Sequence, residues 1–155
     1  MTEPPDPSTL EIRRVLLATE GRPIPASAIG FAARIARPGK APVHVLTIAR
    51  VYGTAFGFPN PWLRPLRHEL EEQRDLAAHA VKALKKQGVN AAGRVLGTRK
   101  GAKRIAEEAL RLGCDVIVMA ADPPRNRIVA DMMWSQEPYR VRRRASVPVY
   151  LVPRD

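Results

Sequence analysis

Val116-Ile117-Val118-Met119-Ala120-Ala121 runs apolar without a break and stops at Asp122-Pro123-Pro124. Val147-Pro148-Val149-Tyr150-Leu151-Val152, closed by Pro153, repeats that design near the end of the chain. A strand with one wet face alternates apolar with polar residues; these runs do not. Both are therefore expected to be strands of a parallel sheet covered by helices on its two faces. Such sheets gather ligands at the carboxyl ends of their strands, so the loops after these runs are where function is expected.

Working upstream, Val15-Leu16-Leu17-Ala18-Thr19, closed by Glu20-Gly21-Arg22-Pro23, predicts a first strand and its turn. Pro25 suits the first turn of a helix carrying Ala26, Ile29, Ala33 and Ala36, which Pro38-Gly39 stops. Val43 to Ala49 predicts the second strand. The stretch Tyr52 to Trp62, rich in glycine, proline and aromatics, predicts a loop rather than an element. Its Phe56, Phe58 and Trp62 could serve as a lid, a subunit contact or plain packing.

A long helix is expected from Pro65, with Leu66, Leu70, Ala77, Ala80, Val81 and Leu84 as its apolar stripe and Gly88 past its end. Ala91 to Gly97 predicts a weaker strand. Ala102, Ile105, Ala106, Ala109 and Leu110 mark a third helix ended by Gly113. Past Asp122 the pattern blurs; Ser135 fits an N-cap, which places Pro138 in the tolerated first turn of a helix ending at Arg144. Five strands thus alternate with four helical connections, an open Rossmann-like α/β domain with right-handed crossovers.

Composition narrows the classes. With 155 residues, 45% of them apolar, the chain has enough length for one ordinary core. No apolar run is long enough to span a membrane. The acidic, proline-rich start lacks the apolar centre of a secretory signal. Residues 1–11 are expected to be a disordered tail and 12–155 a single domain. Cys114 alone cannot form an internal disulfide, which fits a reducing cytoplasm, and its ordinary role is a small buried hydrophobe.

The formal charge of +11 invites an anionic partner, but the arginines are dispersed. The one dense run is Arg140, Arg142, Arg143 and Arg144, at a helix end where the dipole favours cations. Without zinc spacing, an aromatic RNA-binding strand or a GXXG loop, specific nucleic-acid recognition is not expected. His44 sits inside an apolar strand, and His68 and His79 lack companions for a metal, so no metal is assigned.

With its elements in this order, the chain resembles the universal stress protein family, a branch of the adenine-nucleotide α-hydrolase-like fold. Three stretches carry the resemblance: Arg14 to Gly21, Ala106 to Met119 with its helix–Gly113–x–Asp115–strand unit, and Arg143 to Val152. Together with the order of elements they span roughly residues 13–153. The resemblance implies strand order 3-2-1-4-5, with a switch point between strands one and four, where the Glu20-Gly21 turn faces Ala121-Asp122.

In family members that bind ATP, an acidic residue after strand one and a residue at the start of strand two hold adenosine. Glu20, beside the strand-end Thr19, and Val43 resemble those positions. A loop of pattern G-x-x-G, a spacer, then G-[S/T] cradles the phosphates through backbone amides. Here Ala120-Ala121-Asp122-Pro123 stands where the first glycines belong, and no glycine follows Gly113. Ser135 falls on the final glycine slot or, with one gap, on the Ser/Thr slot. Proline lacks the N–H a phosphate needs, Cβ atoms obstruct close approach, and Asp122 adds a negative charge. Arg125 and Arg127 could offset that charge.

The resemblance, with these departures, implies a non-catalytic cytoplasmic stress-response module with a degenerate nucleotide site and weak or absent ATP binding. It also implies a homodimer formed through the last strand, at Val149, Tyr150, Leu151 and Val152, which would otherwise be an exposed edge. A working ATP or AMP site, with Arg125 on a single phosphate, is the first alternative; a basic protein associating with nucleic acid is the second. No nucleophile–base pair, H-x-G-H or P-loop element suggests catalysis.

Overall fold

The computed structural model describes residues 3–51, 54–55, 58–59, 67–122 and 137–154. Its main sheet has five parallel strands: β1 (Val15–Thr19), β2 (Val43–Arg50), β5 (Ala91–Thr98), β6 (Val116–Ala121) and β7 (Val149–Pro153). They lie in the order β5-β2-β1-β6-β7, the expected 3-2-1-4-5. A two-residue antiparallel pair, β3 (Thr54–Ala55) with β4 (Phe58–Pro59), sits inside the stretch expected to be a plain loop. The remaining calls on that stretch, the side chains of Phe56, Phe58 and Trp62, lie outside the described residues, as do Pro65 and Leu66.

Among the described residues four α-helices cover the two faces: α1 (Ala26–Ala36), α2 (Arg67–Lys86), α3 (Gly101–Leu112) and α4 (Glu137–Arg144). Alternate residues of the strands feed separate cores. Val15, Leu17, Val43, Val45, Val116 and Val118 pack under α1 and α2. Leu16, Leu46, Ile48, Ile117 and Met119 pack under α3 and α4 with Ile105 and Val141. Every residue of β1 and β6 is buried, which is why neither run can alternate with polar residues.

The helix–glycine–aspartate unit before β6 has a physical basis. Gly113 ends α3 at φ 68°, and its N–H caps the helix on the carbonyls of Ala109 and Leu110. Asp115 then turns back, its Oδ2 accepting the amides of Arg13 at 2.7 Å and Arg14 at 3.0 Å. One carboxylate thereby aligns the amino ends of β1 and β6.

The opening segment makes local and long-range contacts. Asp6 caps a single 3-10 turn at Pro7–Thr9, the Tyr150 hydroxyl donates to the Pro5 carbonyl at 2.5 Å, and Leu10 and Ile12 join the α1/α2 core. Gly39 is needed where this segment passes, since a Cβ there would lie 2.8 Å from the Ile12 carbonyl oxygen. Apolar residues at positions 10 and 12 anchor a stretch whose composition alone suggests disorder.

Candidate functional site

β1 and β6 lie side by side at the centre of the sheet, and the turns after them meet at its carboxyl edge. Thr19, Glu20, Ala120, Ala121 and Asp122 are all brought to that edge. Thr19 closes the first turn: its hydroxyl donates to the Arg22 carbonyl at 2.6 Å and accepts the Gly21 amide at 3.4 Å. From α2, Gln73 Nε2 donates to the Gly21 carbonyl at 2.9 Å. The turn is held from both sides.

Glu20 is only 2% exposed, and the chain supplies its counter-charges. Arg22 Nε donates to Glu20 Oε1 at 2.7 Å, while Arg22 Nη1 reaches Asp122 Oδ2 at 3.1 Å. Arg154 adds a second guanidinium, 3.7 Å from Glu20 Oε1 and donating to the Pro23 carbonyl at 2.9 Å. Burial works against the charge on Arg22, but its bonds to Glu20 and Asp122 prevail and raise its pKa. Burial and the neighbouring Arg22 lower that of Arg154.

Four buried side-chain atoms remain without a partner among the described residues: Glu20 Oε2, Arg22 Nη2, Gln73 Oε1 and Arg154 Nε. All four belong to residues bonded to this one turn.

On the other side of the crevice, β6 stays in the ladder to its last residue, with Ala120 opposite Val152 and Ala121 opposite Pro153. The Tyr139 hydroxyl of α4 donates to the Asp122 carbonyl at 2.6 Å. Of the positions expected to hold the first glycines, Ala120 and Ala121 are strand residues paired in that ladder, and Pro123 lies outside the described residues.

Val43 must be corrected. It opens β2 opposite Val15, at the amino edge of the sheet, and is fully buried under α1 and α2. Thr19 pairs with Thr47, so the β2 residues level with Glu20 are those from Ile48 onward. The register puts Val43 five residues too early to meet a ligand at Glu20, roughly 16 Å along a strand. Arg125, Arg127 and Ser135 lie outside the described residues.

Sequence reasoning missed Arg22, Gln73 and Arg154, which complete the crevice. Only the i,i+2 spacing of Glu20 and Arg22 around a glycine was a local signal. It also missed a neighbouring cleft, of about 520 Å³, over the ends of β2 and β5. Among the described residues no cluster of three potential metal-ligating side chains occurs.

The universal stress protein family model matches residues 11–153. The chain belongs to the universal stress protein family. Solved structures of the family share its fold. A universal stress protein from Archaeoglobus fulgidus in complex with dAMP is 18% identical, with a TM-score of 0.68, over 90% of this chain and 96% of that one. A family member from Burkholderia pseudomallei is 21% identical, with a TM-score of 0.67, over 92% and 96%. An Arabidopsis thaliana family protein with AMP bound is 14% identical, with a TM-score of 0.56, over 92% of both chains. No curated protein matches the chain by sequence.

Proposed function

We propose that this member of the family is a non-catalytic stress-response module whose β1–β6 crevice is closed to nucleoside triphosphates by its own side chains. The observation that carries the reading is Arg22, which bridges Glu20 and Asp122 across the crevice. A triphosphate entering there would meet the Asp122 carboxylate and would compete with an ion pair already formed. It would also find Ala120 and Ala121 committed to the β6–β7 ladder. Backbone amides spent in a sheet cannot cradle phosphate oxygens.

The dAMP and AMP named with the Archaeoglobus and Arabidopsis structures favour a second reading, an adenine mononucleotide held at this same edge. Glu20 and Asp122, with Thr19 shaping the turn, are then the contact positions we propose, and Arg125 and Ser135 the phosphate contacts. The lone buried thiol suits a reducing cytoplasm. β7 ends the sheet with one neighbour only, and we propose that its outer edge pairs with a second copy. A charge at half-buried Leu151 is then expected to give monomers by light scattering.

Thermal-shift titration with ATP, ADP, AMP, adenosine and cyclic AMP tests the reading, because a ligand that binds only the native state raises its melting temperature. The expected result is little or no shift with ATP. A clear ATP shift that Glu20→Ala abolishes would overturn closure of the crevice. A shift with AMP but not ATP selects the mononucleotide reading.

A further inference from the structure

We propose that residues 3–10 form a strap over the amino-terminal corner of β7, which must lift before a second copy can pair along that edge. The proposal rests on the reading that β7 pairs with a second copy, and adds what limits the pairing.

The edge itself is short. Ile117 donates its N–H to the Pro148 carbonyl at 2.9 Å and stands level with Val149. In a parallel ladder this turns the backbone groups of Tyr150 and Val152 toward β6 and those of Val149 and Leu151 outward. Beyond Leu151 the edge offers little. Pro153 has no N–H, and its carbonyl accepts the Ser27 hydroxyl at 3.1 Å. A partner strand must therefore use Val149 and Leu151.

Val149 is where the strap sits. Tyr150 places its ring on the α1 side of the sheet, 5.6 Å from Phe31, and its hydroxyl donates to the Pro5 carbonyl at 2.5 Å. Toward α4, Glu3 to Pro5 share a hollow of about 630 Å³ with Arg142, Arg143 and Val147 to Val149. The segment thus bridges the two faces of the sheet around the start of β7. Glu3 lines that hollow with two arginines, a charge arrangement that favours closure.

Its sequence suits a cover better than a strand. Prolines at positions 4, 5 and 7 withhold three of the N–H groups a ladder would need. The amides of Ser8, Thr9 and Leu10 bond inside the segment, to Asp6 and Pro7. The strap is tied to the domain by the Tyr150 hydroxyl and by partly buried Leu10. Behind it Ile12 is buried, and Asp115 holds the amides of Arg13 and Arg14, so the base stays fixed when the strap lifts.

In an antiparallel pair the carboxyl end of each β7 lies against the amino corner of the other, so both straps must open together. Apparent association then scales with the square of the open fraction. A threefold rise in opening reads as a dimer about ninefold tighter.

Sedimentation equilibrium of the full chain over a range of concentrations tests this. Tyr150→Phe keeps the ring and removes the bond to Pro5; Leu10→Ser removes the other anchor without touching β7. Each should lower the dimer dissociation constant about threefold or more, and both together about tenfold or more. Adding Leu151→Glu to the double variant should restore monomers. Tyr150→Phe alone decides the matter should Leu10→Ser fail to fold. Unchanged or weaker dimerisation in the strap variants, with Leu151→Glu still giving monomers, would overturn the strap and leave β7 pairing standing. Monomers throughout, or dimers indifferent to Leu151→Glu, would overturn both.

Discussion

Arg22 Nη1 stands 3.1 Å from the Asp122 carboxylate, joining the turns after the two central strands across a separation of 100 residues in sequence. The same guanidinium holds buried Glu20, so its removal leaves that carboxylate, among the described residues, with only the longer contact to Arg154. Arg22→Ala is expected to destabilise the fold by about 1–3 kcal/mol, read as a lower urea midpoint. A double-mutant cycle with Asp122→Asn should show coupling of about 1 kcal/mol. Independent effects would show that the two turns are not linked through this pair.

Glu137 belongs to α4 yet caps the first turn of α3 at Ala102, and it does so while buried. Glu137→Ala should cost about 1–2 kcal/mol, the range for a lost helix cap. Glu137→Gln, which keeps an acceptor, should lose less. A thermal melt of the two variants compares them directly.

Cys114 is 4% exposed, and burial pushes its thiol up to about 11, against a lowering influence from Arg14. Alkylation by iodoacetamide at mildly alkaline pH is expected to be negligible in the native protein and prompt in urea. Rapid labelling without denaturant would show that the strand entrance opens readily.

His44 lies on the α3/α4 face of β2, where burial and the charges of Arg14 and Arg111 hold its pKa below the ordinary 6.5, with Glu108 opposing. The native state therefore binds this proton less readily than the unfolded chain. Its contribution to stability is complete above 6.5 and is lost as pH falls through the lower native value. The urea midpoint should drop on acidification from neutral pH, and His44→Gln should flatten part of that slope.

Much of the fold was legible because the decisive signals are local. Unbroken apolar runs mark β1 and β6, and Gly113 marks the end of α3 in the left-handed conformation that glycine tolerates. The packing of Leu10 against the core was not legible because one apolar residue is too little to stand out from acidic, proline-rich surroundings. Val43 was placed at the crevice by resemblance, and its apolar run could not correct that, since only the Thr19–Thr47 register says which end of the strand lies beside Glu20. The Arg22–Asp122 and Arg154–Glu20 contacts were illegible for a different reason. They exist only after the sheet order has brought β1, β6 and the chain's end together.

β1 leaves the ribosome before the other strands of its sheet, yet it lies in the middle of that sheet, between β2 and β6. Its β2 side can be satisfied once residue 50 has emerged, but the other side waits for residues 116–121. Throughout that interval of translation a strand of four apolar residues and a threonine presents one bare edge. The nascent domain is therefore most vulnerable to mispairing before β6 is made, and chaperone demand should peak there.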